Sequence, residues 1–269
     1  MRLGISSYTY TWAVGVPNSM PLKPLSSTDL VDKAVASDLK LVQIADNLPL
    51  EKMKENELVA LRKYGEGKGV EIEMGGRGLT PDHTMKCLEA AKLLNSPILR
   101  MVIDGSGYEP DIKYVISVVR ELIPEFKSRK IKLAIENHDR FKAREFEKVI
   151  QNVGSEWVGI CLDSVNSMGA GEGFEKVSRI LLPYTVNLHI KDFTIRRVSH
   201  KMGIIIEGTP AGKGMLNIRE LVNKLYLTNS CQSAILELWT PPENEIGETI
   251  LKEEKWANES IDYLKSLIN

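Results

Sequence analysis

Cysteine is scarce in this chain. Cys87, Cys161 and Cys231 are odd in number, widely spaced and in no metal-type pair. That pattern excludes a disulfide scaffold and a thiolate-clamped metal, and it suits the reduced thiols of a cytosolic protein. Excess charge is missing as well. With 35 basic and 36 acidic side chains the formal charge is −1, so no broad field exists to draw in nucleic acid or an anionic membrane. No segment approaches the ~18 apolar residues of a membrane helix. The opening MRLGISSYTY lacks the cationic region and continuous apolar stretch of a signal peptide, which leads us to expect a cytoplasmic protein. Low-complexity tracts, linkers and sequence-level repeats are also absent. What is left is a protein whose partner is a small molecule.

What is present is alternation. Of 269 residues, 43% are apolar and 26% charged, enough to bury a sizeable core. Short apolar or β-branched runs recur, each followed by a stretch of helical period, the order of parallel βαβ units. The runs are LGISSYT, LVQIADN, VEIEMGG, ILRMVID, KLAIENH, VGICLDS, VNLHIKD and AILELWT, beginning at Leu3, Leu41, Val70, Ile98, Lys132, Val158, Val186 and Ala234. Helices are expected over Ser27 to Asp38, Asp111 to Arg129, Glu145 to Val153, Asn217 to Leu227 and Glu254 to Ile268. Eight strands in a chain of this length fit one closed (β/α)₈ TIM barrel over residues 1–269 better than an open sheet. The longest irregular piece, Thr194 to Gly214, is expected to be a loop on the barrel rim.

In such a barrel the reactive groups sit at the carboxyl ends of strands. The fifth run ends in Glu136, Asn137, His138 and Asp139; the sixth supplies Asp163 and Asn166; the seventh His189 and Lys191; the eighth encloses Glu237 between Leu236 and Leu238. A single acid at a strand end is ordinarily a cap or a solvated loop group. Four successive strands each offering one ligand, Glu136, Asp163, His189 and Glu237, are not explained by caps. Side-chain alternation puts Asn187, His189 and Lys191 on one inward face and Asp192 on the other, where it reads as a loop or helix cap. Three carboxylates and one imidazole make a mostly oxygen site for one divalent ion, with Mn²⁺, Mg²⁺ or Co²⁺ favoured and Zn²⁺ an alternative.

These residues carry a resemblance. From LGISSYTYTW through AIENHD, CLDSVN, LHIKDF and LELW the chain resembles the xylose isomerase-like sugar phosphate isomerase/epimerase superfamily, which includes tagatose 3-epimerases, hydroxypyruvate isomerase, inosose dehydratase and, more distantly, endonuclease IV. The resemblance implies that Glu136, Asp163, His189 and Glu237 form the metal quartet and that Glu136 and Glu237 are the catalytic acid/base pair. It further implies a homodimer or homotetramer. An endonuclease IV-like repair role would need a His-rich three-metal cluster and a basic footprint, whereas this chain has four histidines and no excess charge. At Asn166 the chain departs from the epimerases, which carry histidine there; asparagine binds a hydroxyl but cannot carry a proton.

The expected chemistry is isomerisation or epimerisation of a small sugar, keto-sugar or sugar acid through a metal-stabilised enediolate, with the two glutamates moving the proton. The alternative on the same scaffold is a lyase, a decarboxylase or dehydratase acting on a 3-oxo sugar acid. Substrate contacts are expected from His138, Asn166, Lys191, Arg196 and Trp12, with Tyr8 and Tyr10 beside Trp12 and with Arg77, Arg140 and Arg197 also near strand ends. Any one of these arginines can equally be ordinary solvated loop charge. His83 and His200 read as surface or loop residues.

Overall fold

The computed structural model describes residues 1–268. Its strands, in chain order, are β1 (Arg2–Ser6), β2 (Leu41–Ile44), β3 (Glu71–Arg77), β4 (Ile98–Val102), β5 (Lys132–Glu136), β6 (Val158–Asp163), β7 (Thr185–Ile190), β8 (Asp192–Arg197), β9 (Ile204–Thr209) and β10 (Ser233–Leu236). All but β8 and β9 close into one parallel barrel, in the order β1-β10-β7-β6-β5-β4-β3-β2 with β2 returning to β1. Outside lie α1 (Thr11–Val14), α2 (Ser27–Ala36), α3 (Glu55–Gly67), α4 (Pro81–Leu93), α5 (Ile112–Arg129), α6 (Ala143–Val153), α7 (Phe174–Leu181), α8 (Ile218–Thr228) and α9 (Ile246–Lys265). The expected TIM barrel is the observed fold. Among the described residues no helix is long and apolar enough to cross a membrane.

Local chemistry explains the helix starts. Ser26, Thr80, Asp111 and Asn217 each accept a backbone N–H of the following first turn, so these side chains cap α2, α4, α5 and α8. α6 buries Ala143, Phe146, Val149 and Ile150, spaced three and four residues apart on one stripe, and leaves its other positions half-buried or exposed. The outward strand faces and the helices share one large apolar cluster; inside the barrel is a much smaller one of Ile98, Ala134, Cys161 and Val186. Much of the rest of the interior is polar and buried, including Gln43, Glu73, Arg100, Glu136, Asp163, Asn187, His189 and Ser233. A TIM barrel more often fills that space with Val, Ile and Leu layers.

Three elements differ from the sequence-based expectation. Thr194 to Gly214 is not an irregular loop: β8 and β9 pair antiparallel from Asp192↔Thr209 to Arg197↔Ile204, forming a hairpin above the barrel mouth. Its Ile195, Arg196 and Arg197 alternate apolar and charged too briefly to separate a two-stranded ribbon from a loop. The last strand stops at Leu236, so Glu237 stands just past its end. The final helix begins at Ile246, eight positions before Glu254, because the part before Glu254 buries the polar Thr249 and Glu253 rather than showing a strong apolar period. Asp192 organises the loop after β9: its carboxylate accepts the backbone N–H groups of Gly212 (2.9 Å), Gly214 (2.9 Å) and Leu216 (3.1 Å).

Candidate active site

The strand register brings the expected ligands together. Asp163 pairs with His189 across β6 and β7, Glu136 pairs with Cys161 across β5 and β6, and Ile235 sits beside His189, two residues before Glu237. The register shifts between Ile160 and Cys161, which pair with Thr185 and Asn187, so Val186 is an extra residue on β7 that turns Asn187 and His189 to the inner face. At β6 the chains approach so closely that a Cβ on Gly159 would stand 2.5 Å from Val186 Cγ1, which only glycine avoids.

His189 Nδ1 is the centre of the group. It lies 3.3 Å from Glu237 Oε1, 3.4 Å from Glu136 Oε2 and 3.9 Å from Asp163 Oδ2. Adjacent ligands on a small octahedral cation, each at ~2.1 Å, stand roughly 3 Å apart, so these spacings suit a divalent ion. His189 Nδ1 is buried and has no hydrogen-bond partner among the described residues, whereas Glu136 Oε2 is paired with Arg100. A buried imidazole lone pair that faces three carboxylates fits a divalent cation at this position. Asp163, His189 and Glu237 present mutually close ligand atoms; Glu136 does so with His189 and Cys161. Cys161 was not anticipated from the sequence. Burial pushes its thiol well above the usual cysteine range, which leaves the oxygen-rich set as the better fit for a hard ion.

Each ligand is held from behind. Asp163 Oδ1 accepts the backbone N–H groups of Val165 and Asn166, both at 2.8 Å, leaving Oδ2 toward the site. Glu237 Oε1 accepts from Ser6 Oγ at 3.1 Å, and Glu136 Oε1 from Asn166 Nδ2 at 2.7 Å. Lys191 Nζ bridges Asp163 Oδ2 (2.6 Å) and Glu237 Oε2 (2.7 Å). Arg100 Nε stands 2.8 Å from Glu136 Oε2, and Arg100 Nη1 3.2 Å from Asp46 Oδ1.

The environments separate the two glutamates. Burial pushes Glu136 up to about 7, against the pull of Arg100 and Lys191. Burial also acts on Glu237, yet His189, Lys191 and Arg100 outweigh it and hold that carboxyl down at about 2. Two carboxyls with opposite shifts are the usual mark of an acid/base pair. Burial lowers His189 to about 4, so its imidazole is neutral and its lone pair available.

Around this group opens a cleft of about 470 Å³, lined by Tyr8, Trp12, Arg77, Arg100, Glu136, His138, Asn166, Lys191 and Glu237, with Ile206, Glu207 and Gly208 of the hairpin forming one wall. Of the expected substrate contacts, His138, Asn166, Lys191 and Trp12 line it. Arg196 does not: it is exposed and forms an ion pair with Glu207 at 3.0 Å. Arg140 is turned away to Asp104, Arg197 to the Lys201 carbonyl, and Tyr10 is buried below the surface. Arg77 does reach the cleft, 3.1 Å from both Asp46 Oδ2 and His138 Nε2. Arg100 was missed by sequence reasoning, although its signal resembles that of Glu237: a charge inside the apolar run ILRMV.

Comparison with known proteins adds three findings. The profile described as Xylose isomerase-like TIM barrel matches residues 76–267. A curated relative, the 3-oxo-isoapionate decarboxylase of Pectobacterium atrosepticum, is 29% identical over 266 residues, covering 98% of this chain and 95% of the relative. Solved structures share the fold at low identity. The D-psicose 3-epimerase of Clostridium cellulolyticum with D-tagatose superposes with a TM-score of 0.74 at 14% identity, covering both chains fully at 100%. A xylose isomerase-like TIM barrel protein from Mycobacterium smegmatis in complex with magnesium does so with 0.70 at 14%, covering 98% of this chain and 97% of its own.

Proposed function

Because the chain belongs to the xylose isomerase-like TIM barrel family, we propose that it is a divalent-metal-dependent enzyme acting on a small oxidised sugar, and that its reaction is the loss of CO₂ from a 3-oxo sugar acid. The observation that carries this reading is Arg77, whose guanidinium reaches the cleft 3.1 Å from His138 Nε2; Arg100 and Lys191 also line the cleft but are paired with Glu136, Asp163 and Glu237. A neutral sugar calls for hydroxyl partners, whereas a carboxylate calls for guanidinium and ammonium donors. The full-length similarity to a decarboxylase of a 3-oxo sugar acid supports the same choice.

The residues divide the work. Arg77 and His138, at the outer side of the cleft, would hold the substrate carboxylate. Asp163, His189, Glu237 and Glu136 would hold the ion, which when bound acts as a Lewis acid on the substrate's carbonyl and neighbouring hydroxyl oxygens. As the carbon–carbon bond to the carboxylate breaks, its electron pair moves into conjugation with the carbonyl, and CO₂ leaves. Lys191 would stabilise the negative charge that develops. Glu136, oriented by Asn166 and Arg100, delivers a proton to the carbon that lost the carboxylate.

The second reading is isomerisation or epimerisation, favoured by the position of Glu136 and Glu237 at similar distances from His189 Nδ1. Incubation of the Mn²⁺-loaded enzyme in D₂O, with a 3-oxo sugar acid in one arm and a ketohexose in the other, separates the two. Released CO₂ with one deuterium in the product is expected. Deuterium exchange or interconversion of the ketohexose, with no CO₂ from the acid, establishes the second reading instead.

A further inference from the structure

Beneath the site, toward the closed end of the barrel, a chain of buried polar groups runs from His189 to Glu73. His189 Nε2 lies 2.7 Å from Gln43 Oε1. Gln43 Nε2 donates to Glu73 Oε2 at 3.1 Å and to Asn187 Oδ1 at 3.2 Å. Asn187 Nδ2 donates to Ser233 Oγ at 2.8 Å, and Ser233 Oγ donates to Glu73 Oε2 at 3.1 Å. All five side chains are buried. Glu73 Oε1 has no hydrogen-bond partner among the described residues and lies 3.7 Å from Arg2 Nη2.

The direction of every hydrogen bond in this chain follows from its end. Glu73 Oε2 accepts from both Gln43 Nε2 and Ser233 Oγ, which turns the Gln43 amide nitrogen toward Glu73 and its carbonyl oxygen toward His189. Ser233 spends its one proton on Glu73 and therefore accepts from Asn187, which leaves the Asn187 carbonyl for Gln43 and reinforces the same amide orientation. Gln43 Oε1 can receive only an N–H, so His189 carries its proton on Nε2. The lone pair is then on Nδ1, the atom that faces Glu136, Asp163 and Glu237. Had Gln43 turned over, its N–H would meet Nε2, the imidazole proton would move to Nδ1, and the ring could not ligate from that side.

We infer that Glu73 is a positioning residue: acting through Gln43 it sets the tautomer of His189 and thereby prepares Nδ1 to bind a divalent cation. The inference rests on the reading of His189 as a metal ligand. It assigns a role to a strand-β3 carboxylate that touches neither substrate nor ion. Orienting partners of metal-bound histidine typically change affinity by ~10–100-fold when removed.

The test uses the metal-free protein first. With ¹⁵N-labelled histidine there are four imidazoles to assign, and wild-type His189 should show protonated Nε2 and bare Nδ1. Glu73→Leu should yield a population protonated on Nδ1 and bind Mn²⁺ about 10–100-fold more weakly by calorimetry. Glu73→Gln, which keeps an acceptor, should restore most of both properties, and Ser233→Ala should leave the tautomer unchanged. If Glu73→Leu does not fold, Gln43→Leu decides by the same two readouts. A wild-type tautomer and wild-type Mn²⁺ affinity in the folded Leu variant overturn the inference. Retained Mn²⁺ affinity in His189→Ala overturns the ligand reading instead, since the tautomer is measured without any metal.

Discussion

Arg100 is the largest of the fully buried side chains and stands in the middle of a strand. Its position makes sense only as a counter-charge. The guanidinium meets Glu136, Asp46 and, at 3.3 Å, the Gly76 carbonyl. Despite the cost of burial, Glu136 and Asp46 hold it firmly protonated. Removing one member of a buried pair leaves the other charge uncompensated, which costs about 3–5 kcal/mol. Arg100→Met should lower stability by about that amount in urea unfolding, and Arg100→Lys should recover part of it because the charge returns without the fork. Equal stability of wild type and Arg100→Met would show that the two acids are neutral. At this scale the four metal-type side chains were legible in the sequence because four successive strand runs each offer one near the carboxyl end. Arg100, Gln43 and Glu73 sit inside such runs, where one polar residue reads as an accident until the barrel places all three on its inner face.

At the scale of elements, α9 pins α1 to the rim. Glu253 of α9 accepts the backbone N–H groups of Trp12 and Ala13, both at 3.0 Å, and so secures the short helix that presents Trp12 to the cleft. Burial pushes the Glu253 carboxyl up to about 7, against the lowering by these two N–H groups. A carboxyl raised on folding binds more protons in the folded state between its unfolded value near 4.5 and about 7. Its contribution to stability is therefore fully present below 4.5 and is lost as pH rises through 7. Glu253→Gln should remove on the order of 2–3 kcal/mol of the stability difference between pH 5 and pH 8, measured by urea titration at each pH. A pH dependence identical to wild type would sink this account. The hairpin is the other informative element. Gly208 of β9 has no room for a Cβ beneath the Trp239 carbonyl, so the ribbon is seated on the segment after β10 by a backbone contact that no periodicity in the sequence announces.

For the whole molecule the decisive property is the charge balance inside the barrel. Around His189, the carboxyls of Glu136, Asp163 and Glu237 outnumber the cations Arg100 and Lys191 by one, all buried, and Glu73 below them adds a further buried carboxyl. A divalent ion held there should stabilise the folded state. At a Mn²⁺ concentration 100 times its dissociation constant the gain is about 2.7 kcal/mol, or roughly 5–10 °C in Tm for a chain of this size. Thermal denaturation with Mn²⁺ and with EDTA checks this, and identical melting temperatures would contradict the metal site. By itself the sequence determined the barrel, since alternating apolar runs of period 2 and 3.6 bury their faces in one way, and it put Glu136, Asp163, His189 and Glu237 near successive strand ends. Only the tertiary structure decided which charges meet. Strand register, the extra residue in β7 and the inward turn of β2, β3 and β4 bring residues from distant parts of the chain within hydrogen-bond distance. Arg196, close in sequence to His189, is drawn instead to Glu207 because an antiparallel pair puts them on the same exposed face. Proximity along the chain says little about proximity in a barrel, where neighbours are set by register.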